Sequence, residues 1–431
     1  MSQFLQFPLQ PFLQEAIQRI GFTKPTAIQQ AMIPIMLSGK SAIGQAHTGT
    51  GKSHSFLIPI VERVDVEKDY PQAVIAAPTR ELADQLYTAL NELTEGTDIR
   101  TAALIGGTDK VRMADRLKTA PHIIVGTPGR IRDMVMDGAV SVFKANILVI
   151  DEADLSFDMG FIEAIDQVAS RMSNELEMYV FSATIPEKLK PFLTKYMQDP
   201  KHVQIGREQS LVEGMHYSLV PVRSAKKYDK LKDVMEAINP YLAIIFTNTR
   251  EKADEVADAL QKDGIDVGRI HGSLSPRERK RMMKQIRGLR YHYIVATDLA
   301  ARGIDIPGVS HVINYEIPEN IEFFVHRVGR TARAGLQGHA ITLYDPEEEE
   351  LVASVEALKL PLRHEDVRRG EWIELKPRQA RQKRRAKTSD LDRRARAAVR
   401  KPKKVKPGYK QKMKRDMERF KRNERKKNRK R

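Results

Sequence analysis

Two short segments carry groups that together can do chemistry on a phosphate. Asp151-Glu152-Ala153-Asp154 follows directly on Ile147-Leu148-Val149-Ile150, four β-favouring apolar residues. Such a run reads as a buried strand delivering two adjacent carboxylates to a sheet edge, where open α/β sheets bind ligands. Upstream, Ala46-His47-Thr48-Gly49-Thr50-Gly51-Lys52-Ser53 has the make-up of a phosphate cradle. Gly49 and Gly51 let backbone N–H groups approach phosphate oxygens, and the helix that follows presents its positive end. Lys52 is spaced to reach the outer phosphates, and the Ser53 hydroxyl suits Mg²⁺. Ala46 stands where this pattern usually has its first glycine. Asp151 is the expected partner of Mg²⁺, through water. Glu152 is the better group to orient or deprotonate an attacking water. Each segment alone has a plain explanation, a Gly-rich turn or acids at a helix N-terminus. Paired, they make a nucleotide hydrolase the first hypothesis.

The elements that must position these groups alternate along the chain. Strands are expected at Ala73–Ala77, Thr101–Ile105, His122–Gly126, Ile147–Ile150 and Tyr179–Ser182. Amphipathic stretches such as Arg80–Leu93 and Phe161–Met172 lie between them. The pattern repeats at Leu242–Phe246, Val267–Ile270, Tyr293–Ala296, His311–Asn314 and Ala340–Leu343. Alternation of this kind implies βαβ units and parallel sheets. The fold class is therefore α/β, with two tandem units joined near Gly206–Gly214. Asp345-Pro346-Glu347-Glu348-Glu349-Glu350 is read as a helix start with Pro in the first turn, rather than as a cation site.

At 431 residues the chain fits two or three domains. With no cysteine it has no disulfide and no thiolate zinc site, and nothing in it requires an oxidising compartment. Met1 to Phe22 lacks the pattern of a signal peptide, and no apolar run reaches the roughly 18 residues of a membrane span. A cytoplasmic protein without a membrane contact is expected. The net charge of +17 is uneven. Lys376 to Arg431 holds 28 Lys and Arg against 5 Asp and Glu, leaving 45 basic and 51 acidic residues from the chain totals of 73 and 56. The body is thus mildly acidic, and the tail seeks a polyanion unless it merely solubilises.

Taken together, these motifs resemble the DEAD-box family of ATP-dependent RNA helicases, over roughly residues 1–362. Gly21-Phe22-Thr23-Lys24-Pro25-Thr26-Ala27-Ile28-Gln29 is similar to the family's adenine-reading motif. The resemblance implies ATP as cofactor with Mg²⁺, Gln29 on the adenine edge, Phe4 stacked on the base, and Phe22 and Thr26 beside them. An amide offers one donor and one acceptor, which matches adenine and not guanine. Thr48, Gly49, Thr50, Gly51 and Lys52 would surround the phosphates. Pro78-Thr79-Arg80-Glu81-Leu82, Gly106-Gly107 and Thr127-Pro128-Gly129-Arg130 match the family's RNA-contacting loops. Arg80, Gly106, Gly107, Thr127 and Arg130 are implied to touch RNA, and in the second half Thr249, Arg250, Arg279, Thr297 and Gly303. Ser182-Ala183-Thr184 resembles the motif coupling hydrolysis to unwinding. Asp305 would bond the ribose. In His326-Arg327-Val328-Gly329-Arg330-Thr331-Ala332-Arg333, Arg330 and Arg333 stand three apart, on one face of a helix. The resemblance assigns them to the γ-phosphate and links His326 to the acidic motif. His47, Ser53 and Ala332 stand where Gln, Thr and Gly are common, and Pro276 and Ile286 where Gln and Phe are common. The expected architecture is two tandem RecA-like parallel-sheet domains, 1–208 and 209–362, with a basic, largely disordered tail at 363–431.

The tail from 376 cannot bury enough apolar surface to fold alone. Its aromatics are Tyr409 and Phe420, so phosphate contacts should dominate and binding should weaken with salt. Tyr409, Met413, Met417 and Phe420 have the spacing of one helix face, which suits a basic helix forming on structured RNA or on a ribosomal particle; a chance pattern accounts for it equally. The charge also fits nuclear localisation, but Lys403-Lys404-Val405-Lys406-Pro407-Gly408-Tyr409 resembles the tail of a bacterial cold-shock branch of the family. An RNA-dependent ATPase that separates strands or remodels ribonucleoproteins, with little sequence preference, is the leading reading. An ATP-gated RNA clamp and a DNA translocase are its rivals. Ribosome assembly, messenger decay and cold adaptation are all compatible.

Overall fold

The computed structural model describes residues 3–46, 50–106, 113–115, 117–205, 214–222, 226–301, 306, 308–331 and 337–378. Among them, the first sheet is built of Ala42–Gln45 (β1), Ala73–Ala76 (β2), Thr101–Leu104 (β3), Ile123–Gly126 (β4), Ile147–Ile150 (β5), Glu177–Ser182 (β6) and Lys201–Gln204 (β7). Their order is β3-β4-β2-β5-β6-β1-β7, and neighbours pair in parallel. Successive side chains serve opposite faces. Ala73 and Ile75 of β2, with Ile147 and Val149 of β5, join one apolar cluster. Val74, Ala76, Leu148 and Ile150 join the cluster on the other face. Helices cover both faces, which is why these strands read as unbroken apolar runs. Helix Arg80–Thr94, for instance, buries Leu82, Leu86, Leu90 and Leu93 against the first cluster.

The second sheet repeats the scheme with Met215–Pro221 (β8), Ala243–Thr247 (β9), Val267–Ile270 (β10), Tyr293–Thr297 (β11), His311–Asn314 (β12) and Gly338–Tyr344 (β13). These run β10-β11-β9-β12-β13-β8, again parallel, the same order as β3-β4-β2-β5-β6-β1. One crossover pattern, used twice, places every strand's carboxyl end on a common edge in each sheet. By internal contacts the chain forms two compact units, 1–362 with 367–372, and 363–366 with 373–431. Both sheets' parallel strands fall in the first. The second holds parts of strands Leu362–Arg368 (β14) and Glu371–Glu374 (β15), and Leu375 N donates to His364 O at 2.7 Å.

Each strand expected from the sequence is present, with ends moved by at most two residues. Those not expected are β1, β7, β8, β14 and β15. Ala-Ile-Gly-Gln of β1 has one β-favouring residue and is a strand because β6 and β7 flank it. Lys-His-Val-Gln of β7 is a polar edge. Helix Ile162–Ala169 is shorter than the expected Phe161–Met172. The acidic run is corrected in detail. Its helix is Glu349–Glu356 with Glu348 as N-cap, so Pro346 precedes the first turn. Asp345 and Glu348 close that turn, with Asp345 N donating to Glu348 Oε2 at 2.7 Å, and both accept Lys227.

Candidate active site

The cradle joins β1 to helix Lys52–Arg63. Ala46 is buried after β1 and its N–H donates to Ser182 O at 3.0 Å. Thr48 and Gly49 lie outside the described residues; Thr50 and Gly51 resume the chain. Gly51 caps the helix at φ 87°, a left-handed conformation that a side chain would strain. Space demands glycine too. A Cβ there would stand 2.7 Å from Gln29 Nε2 and 3.0 Å from Thr26 Oγ1. Gln29 is buried, accepts Thr26 N at 2.9 Å on Oε1, and donates from Nε2 to Gly51 O at 3.2 Å. The expected base-reading amide is thus tied to the cradle itself. One N–H of its NH₂ group has no bond among these. Phe4 is buried and stacked on Phe22 with centroids 6.2 Å apart, and half-buried Phe22 meets the edge of His54 at 4.6 Å. The aromatic wall therefore reaches the helix carrying Lys52. Ser53, next to it, is half-buried.

Opposite, β5 delivers Asp151, Glu152 and Asp154, all at least 95% buried. Glu152 adopts φ 46°, ψ 57°, an uncommon conformation for a residue with a side chain, and its N–H donates to Asp151 Oδ1 at 3.0 Å. Lys52 Nζ meets Glu152 Oε1 at 3.2 Å. Burial works against the Lys52 ammonium, but Glu152, then Asp151 and Asp154, outweigh it and raise its pKa. Burial likewise works against the Glu152 carboxylate, and Lys52 outweighs it, with His326 and Arg330 contributing, so Glu152 is held below its usual range. Asp151 moves the other way, pushed up by burial and then by the Glu152 charge. The adjacent carboxylates are thus pushed in opposite directions, with the charged form favoured more strongly at Glu152 than at Asp151.

A polar chain leads away from this pair. Asp154 N–H donates to Ser182 Oγ at 3.1 Å, and Asp154 Oδ2 accepts Thr184 N at 3.3 Å and Thr184 Oγ1 at 3.1 Å. The Thr184 hydroxyl also lies 3.3 Å from Glu322 Oε2, so its single proton has two carboxylates to choose between. His326 Nε2 stands 3.4 Å from Asp154 Oδ2, near enough for attraction but not aligned as a hydrogen bond. Glu322 and His326 share helix Ile321–Val328, which ends at its Gly329 C-cap; buried Arg330 stands past that end rather than on the expected helix face, and Arg333 lies outside the described residues. Arg330 Nε donates to His326 O at 3.2 Å. The acidic motif of the first sheet and the basic motif of the second thus meet through Asp154 and His326. Asp305, Gly303 and Gly107 also lie outside the described residues.

The remaining loops gather on the same edges. Arg80 opens its helix behind the Thr79 cap, and its guanidinium lies 3.2 Å from where a Cβ on Gly106 would be. Thr127 caps the helix carrying Arg130, and Thr249 caps helix Arg250–Lys262, accepting Lys252 N at 3.1 Å. Thr297 ends β11. Arg279 is bound within the protein: Nε donates to Glu81 and Nη2 to Ala300 O at 2.9 Å. That engagement joins a loop of the first sheet to one of the second.

Sequence reasoning gave no role to Arg327, Asp298, Asn248 or Glu322. Arg327 is 1% exposed. It binds Asp298 from Nε at 2.5 Å and Nη2 at 2.7 Å, Asn248 Oδ1 at 2.8 Å and Glu316 O at 2.6 Å. One guanidinium locks the loops after β9, β11 and β12 together. Its position within the arginine-rich run was the available signal. Among the described residues no group of three or more His, Cys, Asp and Glu is arranged to hold a metal. The donors present, a hydroxyl and a carboxylate flanking a phosphate cradle, fit Mg²⁺ held largely by nucleotide oxygens.

A family model described as DEAD/DEAH box helicase matches residues 26–192, and one described as helicase conserved C-terminal domain matches 226–335. The chain is 50% identical over 424 residues to the DEAD-box ATP-dependent RNA helicase CshB of Bacillus cereus, covering 97% of each. It is 49% identical to CshB of Bacillus subtilis, covering 98% of each. In three dimensions it is similar to S. cerevisiae Dbp5 bound to RNA and ADP BeF3, with a TM-score of 0.77 and 27% identity over 85% of this chain and 96% of that one.

Proposed function

The chain belongs to the DEAD-box family of ATP-dependent RNA helicases, with two RecA-like sheets, and on that premise we propose how its residues divide the work. ATP occupies the edge of the first sheet. Gln29 with Thr26 reads the adenine, Phe4 and Phe22 form the apolar wall beside it, and residues 46–53 cradle the phosphates. Ser53 and Asp151 would hold Mg²⁺, which when bound neutralises phosphate charge. Lys52 exchanges Glu152 for phosphate oxygens. The exchange frees Glu152 to accept a proton from the attacking water. The Lys52–Glu152 contact at 3.2 Å carries this reading, because it keeps the base engaged until a phosphate competes for the lysine. Arg330 and Arg333 stabilise the transferring phosphoryl group, an effect of roughly 10³–10⁵ in rate for such arginines.

RNA follows the loops bearing Arg80, Gly106, Gly107, Thr127, Arg130, Thr249, Arg250, Thr297 and Gly303, and Arg279 acts between Glu81 and Ala300. Helix caps and glycines contact backbone rather than base edges, so sequence preference is small. Ser182 and Thr184 relay the state of Asp154 to His326. Residues 1–208 and 209–362 act as the two lobes, and 363–431 as a basic element for structured RNA, including that of ribosomal particles. No helix of the described residues is long and apolar enough to cross a membrane, and a cytoplasmic site of action is proposed. ATP hydrolysis with single-stranded RNA and with single-stranded DNA of equal length tests this function. Stimulation by RNA alone is expected; equal stimulation by DNA contradicts it.

A further inference from the structure

Several cations on the second sheet's helices have an acid beside them, whereas one helix carries an aligned set that does not. Lys227 meets Asp345 and Glu348, Lys230 meets Asp233, Lys232 meets Asp263, Lys252 meets Glu255, and Arg269 meets Asp254 and Asp258. Helix Pro276–Arg287 differs. Arg277, Lys280, Arg281 and Lys284 are all exposed, and among the described residues none has a salt bridge. Their spacing of three and four places them on one face. Met283 and Ile286 anchor the opposite face in the core. The helix's one acid, Glu278, is occupied at the N-terminus, where Ser275 N donates to Glu278 Oε2 at 2.8 Å. Hydrogen bonds to Ser275 hold its pKa low, yet its charge is spent on the cap rather than on the stripe. The arrangement leaves four aligned cations uncompensated, at a cost in mutual repulsion that neighbouring helices avoid.

We infer that this stripe is a track for the phosphate backbone of RNA outside the strand held at the sheet edges. The inference rests on the RNA-binding reading above and extends it. The helix follows β10, whose carboxyl end lies on the edge that carries Thr249, Arg250 and Thr297. A Cβ on Gly272, in the connecting loop, would be 3.9 Å from the Arg250 side chain. The track therefore continues from the proposed RNA loops. From Arg277 to Lys284 the helix rises about 10 Å, the axial length of about three phosphates at 3.4 Å per strand. A polyanion with evenly spaced charges matches a stripe of this length better than an acidic protein patch does.

The test uses the full chain and the variant Arg277→Gln/Lys280→Gln/Arg281→Gln/Lys284→Gln. Glutamine is a good helix former at exposed positions, and circular dichroism checks the fold. Affinity is measured against salt for a short single strand and for the same strand carrying a duplex arm. For the arm-bearing RNA, neutralising about three phosphate contacts makes the log–log salt slope shallower by about 2–3. The short strand's slope is unchanged, and its saturating ATPase rate is retained. An identical slope for wild type and variant on the arm-bearing RNA overturns the inference and leaves an acidic protein as the occupant. Arg281→Glu/Lys284→Glu gives a second reading, with a larger loss for the arm-bearing RNA expected and equal affinity refuting it. The binding readout decides the stripe even if RNA fails to stimulate ATP hydrolysis, which would instead refute the helicase reading.

Discussion

Replacing Glu152 by Gln separates the roles of the buried charges. At 3.2 Å and an effective dielectric constant near 20, the Lys52–Glu152 attraction is about 5 kcal/mol. Glu152 also stands beside Asp151, whose pKa is raised by burial and by that same neighbour. The substitution removes attraction and repulsion together, and Lys52 keeps Asp151 and Asp154 as counter-charges. No buried charge is left alone, so the cost should be about 1–2 kcal/mol rather than the 3–5 of a broken buried pair. For a domain of this size that moves Tm by only a few degrees. ATP affinity should stay within about threefold, since the amide adds no charge against the phosphates. Hydrolysis should fall by about 10²–10⁴, the usual worth of a positioned base. Titration with a fluorescent nucleotide gives the affinity, and single-turnover hydrolysis with saturating RNA gives the rate. Near wild-type hydrolysis refutes Glu152 as the base. Lost ATP binding in a folded variant refutes the charge balance.

Two further outcomes follow from the same site. Gly51→Ala forces a side chain into φ 87° and places its Cβ 2.7 Å from Gln29 Nε2. With about 1–2 kcal/mol of backbone strain alone, ATP affinity should fall at least about tenfold while the fold persists, and an unchanged titration contradicts the coupling of Gln29 to the cradle. Burial lowers the His54 pKa from 6.5 to about 4. The folded value lies below the unfolded one, so His54 contributes stability above pH 6.5 that is lost as pH falls through about 4, about 3 kcal/mol at most. Melting of His54→Gln between pH 7 and about 4.5 should be less pH-dependent than that of wild type, and parallel curves refute the assignment.

The sequence disclosed the central strands because buried parallel strands are continuous apolar runs, as in Ile147–Ile150 and Tyr293–Thr297. It concealed β1 and β7, whose strand character comes from neighbours rather than from their own residues. Lys52, Asp151 and Glu152 were legible because phosphate chemistry requires those groups at those spacings, and the structure brings them together. Arg327 was not, because an arginine saturated by Asp298, Asn248 and Glu316 looks in sequence like one free to meet a ligand. The Gln29 bond to Gly51 was hidden for a related reason. It joins two motifs 22 residues apart, and only the packing of helix Ala27–Leu37 beside helix Lys52–Arg63 makes them neighbours.

Strand release from a short RNA duplex with a single-stranded overhang, followed together with ATP hydrolysis, tests the central claim most directly. The account predicts ATP-dependent release of RNA, none from the matching DNA duplex, and loss of sustained turnover in Glu152→Gln. RNA-stimulated ATP hydrolysis with no strand released at any enzyme concentration contradicts it, and identifies an ATP-gated clamp on RNA instead.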